Sequence, residues 1–389
     1  MLALSPRLRA TAAPPIPAAR AWSARYRGAA GPMLDLSQAV PGYPPHPALL
    51  QRLAAAAGER EGAAYGEIEG DPALREALAA ELSATYGAAI AAEDVAITAG
   101  CNLAFSLAAA VLAGTGEAVM LPVPWYFNHR MALEIAGIGA VPLPCRAADG
   151  FLPDPERAAA ALDAAGGRVR ALVLVTPNNP TGAVLPPDTL ARFAALCRAR
   201  GVWLVLDETY RDFLPAGAPH ALFRNPDWRS GVVQLYSFSK SYCVPGHRVG
   251  AILAGPAFRA ELRKALDTWQ ICAPRAAQRA LAWAVPALAD WRASNRAVMA
   301  GRAAAFARAV APLPGWRVDA LGAYFAYLRL PDGAPDAEAA AEILAARHGL
   351  LGLPGPFFGP GQERHLRLAF ANVEEAALAE VPARLAALG

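Results

Sequence analysis

The sequence predicts an α/β fold: a large domain with a mainly parallel sheet covered by helices, and a smaller α+β domain beside it. Three observations predict this. Alanine-rich helical stretches alternate with short apolar runs from about residue 48 onward, the pattern of parallel strands joined by crossover helices. Several of those apolar runs stop at a cluster of polar or aromatic residues. After about residue 280 the texture changes to longer helical stretches and strands with alternating apolar residues.

Along the chain, residues 1–47 read as an N-terminal arm that joins the small domain, 48–280 as the large domain and 281–389 as the small one. The arm's first 34 residues hold Arg7, Arg9, Arg20, Arg25 and Arg27 and no acid, which superficially resembles an organelle transit peptide. Serines are few, however, and arginine is preferred throughout the chain. Pro14, Pro15 and Pro17 are expected to break an amphipathic helix. An ordered or partly ordered arm is the better reading.

The large domain is defined by where its apolar runs end. Residues 95–98 run into Ala99, Gly100, Cys101 and Asn102, and 118–121 run into Pro122, Val123, Pro124, Trp125 and Tyr126. Residues 169–175 lead into the segment 176–182, which contains Asn179, Pro180, Thr181 and Gly182. Residues 202–206 lead into Asp207, Glu208, Thr209 and Tyr210, and 232–236 into Ser237, Phe238, Ser239 and Lys240. Ligands of open α/β sheets bind outside the carboxyl ends of the strands, so these five loops should converge. In the small domain a helix over 292–308 precedes alternating residues 315–330, a further helix and a closing segment 365–370.

Composition excludes several function classes. With 389 residues and 55% hydrophobic content the chain buries a large core in two or three domains. No apolar run reaches the roughly 20 residues of a membrane span. A net charge of +3 without a basic, aromatic-laced cluster argues against a nucleic-acid partner. Five cysteines without a CxxC pair argue against a disulfide framework and a zinc site, so no metal is expected and a cytoplasmic location fits. Of 36 cationic residues only Lys240 and Lys264 are lysine, which leaves two candidates for a reactive amine.

Lys240 is the better placed of the two. A lysine that forms a Schiff base needs a lowered pKa, which burial beside cations supplies, and Arg248 follows eight residues later as a candidate phosphate anchor. The hydroxyls of Ser237 and Ser239 suit the same phosphate. Asp207 ends an apolar strand, where a carboxylate either pairs with a cation such as a protonated pyridine nitrogen or caps a turn. Tyr210 and Asn179 are candidates for the phenolic oxygen of such a ring. Gly100, Cys101 and Asn102 open a helix whose N-terminal N–H groups suit an anion. Tyr126 or Trp125 offers a face for stacking.

These motifs resemble those of the class I/II aminotransferases, fold-type I enzymes that use pyridoxal 5'-phosphate. The resemblance spans Leu36-Ser37-Gln38 to Arg367-Leu368-Ala369-Phe370 and includes Tyr65, Gly70, Leu74-Arg75, Asn179-Pro180-Thr181-Gly182, Asp207-Glu208-Thr209-Tyr210 and Ser237-Phe238-Ser239-Lys240 with Arg248. It implies Lys240 as cofactor-bearing lysine and proton shuttle, Asp207 on the pyridinium, and Tyr210 and Asn179 on the phenolic oxygen. Ser237, Ser239 and Arg248 would hold phosphate, Tyr126 rather than Trp125 would stack, and Arg367 would grip the substrate α-carboxylate. Val40 would contribute substrate binding near the N-terminus, where Ala39 replaces the usual glycine.

Cys101 also departs from the usual small non-thiol residue. In similar enzymes the tyrosine at the Tyr65 position serves a phosphate across a homodimer interface. The implied reaction moves an amino group from an L-amino acid to a 2-oxo acid such as 2-oxoglutarate, with ping-pong kinetics. A carbon–sulfur β-lyase of the same fold is the alternative. A nucleotide-binding dehydrogenase is disfavoured, because the glycine pairs at 114/116 and 137/139 complete no GxGxxG. Arg275, Tyr43, Trp269 and Tyr324 are candidates for contacting a substrate side chain.

Overall fold

A computed structural model describes residues 3–388. Seven strands make the principal sheet: β1 (Val95–Thr98), β2 (Ala118–Val123), β3 (Gly139–Pro144), β4 (Val169–Val175), β5 (Trp203–Asp207), β6 (Val232–Ser237) and β7 (Gly250–Leu253). Their order is β1-β7-β6-β5-β4-β2-β3. Only β7 runs against the rest, pairing antiparallel with both β1 and β6. The five strands whose ends carry the sequence motifs are therefore mutually parallel, and those ends share one edge. The interior strands β4, β5 and β6 are almost continuously buried, as strands covered on both faces must be.

Helices cover the two faces. Leu74, Leu78 and Leu82 of Pro72–Tyr86 and Leu190 and Phe193 of Pro187–Ala199 pack on one. Phe105 of Cys101–Leu112 and Phe258 and Leu262 of Pro256–Trp269 pack on the other. Helix ends follow local chemistry: Asp154 accepts hydrogen bonds from the N–H groups of Glu156 and Arg157 at the start of Pro155–Ala164. Gly87, at φ +60°, closes Pro72–Tyr86 in the left-handed conformation that glycine adopts without strain.

A second sheet holds β8 (Arg317–Gly322), β9 (Phe325–Arg329), β10 (Leu353–Pro354) and β11 (His365–Ala369) in the order β10-β11-β9-β8, all antiparallel. Its core gathers Phe306, Tyr324, Leu328, Leu344 and Phe370. Leu34 and Asp35 pair in parallel with Leu350 and Leu351. The arm corrects one expectation. Pro15 and Pro17 do not break a helix; both lie in the first turn of Pro15–Ser23, where the backbone N–H groups have no intrahelical acceptor and a fixed φ costs nothing.

Candidate functional site

Beyond Val175 at the end of β4, the side chain of Asn178 ties its own loop, with Oδ1 accepting from Thr181 N at 3.1 Å and Thr181 Oγ1 at 2.9 Å. This holds the neighbouring Asn179 in place. Asn179 Nδ2 donates to the Tyr210 hydroxyl at 3.3 Å, and its Oδ1 accepts from Arg367 Nη1 at 3.2 Å. One amide thus links a residue beyond β5 to a residue on β11.

Asp207 is the last residue of β5 and is buried. Its Oδ1 accepts from Thr209 N at 3.0 Å, and its Oδ2 lies 3.1 Å from His129 Nε2. Asp207 thus ties its own turn through one oxygen, as the capping reading expects, and meets His129 through the other. His129 stacks on Phe105 with ring centroids 3.9 Å apart and meets Tyr126 edge-on at 5.2 Å. Its position three residues after Tyr126, in the first turn of Phe127–Ala136, is the sequence signal for it. Its contact with Asp207 had none.

The end of β6 carries the amine. Ser237 Oγ accepts from Ser239 N at 3.3 Å and caps the short helix Phe238–Ser241. Lys240 sits on that helix and lines a cavity of about 230 Å³. Desolvation there, reinforced by the neighbouring cation Arg248, lowers its pKa to about 8. Arg248 adopts φ +53° and donates from Nη1 to Pro245 O at 2.9 Å. Gly100, at φ +90°, approaches its guanidinium so closely that a Cβ there would lie 2.2 Å from Arg248 Nη2. The thiol of Cys101 accepts from Thr209 Oγ1 at 3.3 Å, and burial pushes its pKa well up, so it stays a neutral thiol.

Behind this wall lies a buried polar layer. Glu208 accepts from the Tyr86 hydroxyl at 2.6 Å and lies 3.3 Å from His220 Nε2. Burial alone would raise the Glu208 pKa, but His220 and the surrounding donors hold it below the usual carboxylate range. Asp212 accepts from the Tyr236 hydroxyl at 2.6 Å, and that hydroxyl also sits 3.0 Å from Ser241 Oγ, next to Lys240.

Arg367, on β11, is buried with Phe325 and Phe358 rings 5.6 and 5.4 Å from its guanidinium carbon, and Nη2 donates to Ser37 O. Burial pulls its pKa down to about 10, so it remains a cation at neutral pH.

The cavity brings together Val40, Cys101, Asn102, Tyr126, Asn179, Asp207, Tyr210, Ser237, Ser239, Lys240, Arg248 and Arg367. Gly100 stands just behind the lining. Tyr65 does not line the cavity of its own chain: it is 80% exposed, and its carbonyl accepts from Arg275 Nη1 at 3.2 Å. Arg275, Tyr43, Trp269 and Tyr324 do not line it either. Tyr324 acts indirectly, donating to Ala39 O at 3.0 Å and steadying the segment that includes Val40. Sequence reasoning missed Ile16, whose place depends on where the arm's helix comes to rest, and Phe127, the residue after Tyr126, which packs in the same apolar cluster. Among the described residues no group of side chains has the makings of a metal site, and no helix is long and apolar enough to cross a membrane.

Comparison with known proteins follows the same geometry. Residues 31–385 match the model for the family described as aminotransferase class I and II. An aromatic aminotransferase of Arabidopsis thaliana is 29% identical over 90% of this chain and 88% of its own length. A valine–pyruvate aminotransferase of Mycobacterium tuberculosis is 30% identical over 89% of both, and an arginine–pyruvate transaminase of Pseudomonas aeruginosa 30% identical over 78% and 77%. Among solved structures, a Thermus thermophilus aspartate aminotransferase variant superposes over all of both chains with a TM-score of 0.91 at 24% identity. Substrate-bound BacF of Bacillus subtilis, at 21% identity, covers 100% of this chain and 98% of its own with a TM-score of 0.89, so the fold is that of fold-type I aminotransferases. Since the family match runs through both sheets and every loop at the cavity, the chain belongs to the class I and II aminotransferases.

Proposed function

We propose that this chain transfers the amino group of an L-amino acid to a 2-oxo acid by a ping-pong reaction, with pyridoxal 5'-phosphate held at Lys240. The observation that carries the reading is the convergence, in one cavity, of a low-pKa lysine, a buried carboxylate and two arginines at different ends. The donor set fits this cofactor. Ser237, Ser239, Arg248 and the N–H groups opening Cys101–Leu112 suit its phosphate, and the glycine at 100 leaves the guanidinium room. Asp207, oriented by His129 and Thr209 N, suits a protonated ring nitrogen. Asn179 and Tyr210 together suit a phenolic oxygen, and Tyr126 a ring face.

Bound there, the cofactor supplies an electron sink for the pair left at Cα when its proton departs. The protein's part is positioning and proton transfer. Arg367, aligned by Asn179 Oδ1 and Ser37 O, holds the α-carboxylate through a bidentate guanidinium. Lys240 Nζ, neutral in a useful fraction near pH 8, takes the Cα proton and would return it two atoms away, to the carbon on the far side of the substrate nitrogen. The apolar rings beside Arg367 keep water from competing for the carboxylate.

The relatives' names span aromatic, arginine and valine donors, so they do not choose a substrate. The acceptor expected from the sequence, 2-oxoglutarate, carries a second carboxylate that needs a cation of its own. The exposure of Tyr65, away from its own chain's cavity, supports a homodimer in which it serves the partner's cavity. To test the reaction, purified protein loaded with pyridoxal phosphate is given an amino-acid panel with and without 2-oxo acids. Amino transfer that depends on the acceptor supports the proposal. Pyruvate and ammonia released from cystathionine without any acceptor would assign the chain to the β-lyases instead.

A further inference from the structure

We infer that the cavity selects donors with uncharged, largely apolar side chains, and that its acceptor is a 2-oxo monocarboxylic acid rather than a dicarboxylic one. This inference rests on the aminotransferase reading of the same cavity and names its substrate class. It follows from a census of charge. Among the described residues that line the cavity, four side chains are formally charged: Asp207, Lys240, Arg248 and Arg367. Each is committed. Asp207 faces His129, Arg248 lies against Gly100 at the anion-binding end, Lys240 is the reactive amine, and Arg367 is held by Asn179 and Ser37 for the α-carboxylate.

A substrate with a second carboxylate would therefore bring it to a wall with no cation. That wall is built from Ile16, Ala39, Val40 and Phe127. Ile16 and Phe127 belong to an apolar cluster with Ala19, Leu351, Leu353 and Phe358. The Phe127 and Phe358 rings are 5.9 Å apart, and Phe358 itself flanks Arg367. This side of the cavity is thus apolar, and the polar groups that touch Arg367, Asn179 and the Ser37 carbonyl, are uncharged, so an unpaired carboxylate is disfavoured there. Gln38, whose Nε2 is buried without a hydrogen-bond partner, adds a neutral donor and no charge.

In a shared site, the loop that carries Tyr65 would reach the partner's cavity. Arg275, which would arrive with that loop, is already paired with Asp71 Oδ1 at 3.1 Å and with Tyr65 O at 3.2 Å. Its charge is balanced within its own chain.

The test uses the holoenzyme and two readouts. By calorimetry, the unreactive monocarboxylate 4-methylpentanoate should bind at least about 10-fold more tightly than glutarate, because only glutarate must desolvate a second charge. In turnover, leucine, methionine or phenylalanine should exceed aspartate and glutamate by about 100-fold in kcat/KM, with pyruvate preferred to 2-oxoglutarate. Ile16→Arg, or Phe127→Arg as a second variant, places a cation on the wall and should shift the aspartate-to-leucine ratio toward aspartate by about 10-fold or more. Glutarate binding as tightly as 4-methylpentanoate, or aspartate or glutamate within about 10-fold of the best neutral donor, would overturn the inference. Selective binding of the monocarboxylate without amino transfer from any donor would instead sink the aminotransferase reading and leave the selectivity standing.

Discussion

Lys240 owes its expected reactivity to a local excess of positive charge in a desolvated cavity. Burial and Arg248 both disfavour the ammonium form, so the neutral amine should dominate above about pH 8. In protein freed of cofactor, acetic anhydride labelling of Lys240 should rise with pH and level off near 8, whereas free Nα-acetyl-lysine continues toward about 10.4. Arg248→Gln removes a cation, so the plateau should move upward; a downward move or none would contradict the assignment. Lys240→Ala should abolish the absorbance of covalently held pyridoxal phosphate and all amino transfer while the chain stays folded. The remaining lysine, Lys264, is exposed and paired with Glu261 at 2.7 Å, so borohydride trapping of cofactor on the variant would show this assignment to be wrong. Arg367→Ala should raise KM for every amino-acid donor by roughly 30-fold, the equivalent of about 2 kcal/mol for a lost charge-assisted contact. An effect confined to one class of side chain would place Arg367 at the specificity wall instead.

At the scale of elements, the two sheets meet through a contact that only glycine permits. A Cβ on Gly322 of β8 would lie 2.1 Å from Gly182 O, and one on Gly182 2.4 Å from Gly322 N. Gly322→Ala should therefore lower stability by about 1–3 kcal/mol, as overpacking against backbone does, and a thermal midpoint unchanged from the parent would refute the contact's importance. The segment containing Gly182 was legible in the sequence because glycine, proline and asparagine mark a turn on their own. The five strand ends were legible for a related reason: an apolar run that stops abruptly at polar residues is a local signal. The edge strand β3 carries Pro142 and Pro144 and is half exposed, and β7 ends at Leu253 before Ala254 and Gly255 with no polar or aromatic cluster to mark it, so neither stands out by pattern. Contacts made by packing leave no local trace at all. His129 meets Asp207 across 78 positions of sequence, and Ile16 reaches the cavity only because Pro15–Ser23 packs against the small sheet's side of the molecule. Strand ends and the polar residues that line the cavity can thus be read from sequence, while their buried partners and the cavity's apolar wall need coordinates.

At the scale of the whole molecule, the exposed Tyr65 needs an explanation that one chain does not provide. Its ring is 80% exposed on a loop and does not line the cavity of its own chain, so it is free to be covered by a partner. In a twofold dimer each chain lends the same patch to the other, so Tyr65 of one chain would complete the cavity around Lys240 of its partner. Mixing Tyr65→Ala and Lys240→Ala chains under subunit exchange separates this from a packing role. With shared sites, each mixed dimer holds one cavity with both changes and one with neither, and activity should rise above that of either parent. With unshared sites every cavity carries one change or the other, and mixing cannot restore an intact one. The expected outcome is a gain approaching one working site per mixed dimer. No gain, with exchange confirmed by mass spectrometry and Tyr65→Ala impaired on its own, would assign Tyr65 to its own subunit's site.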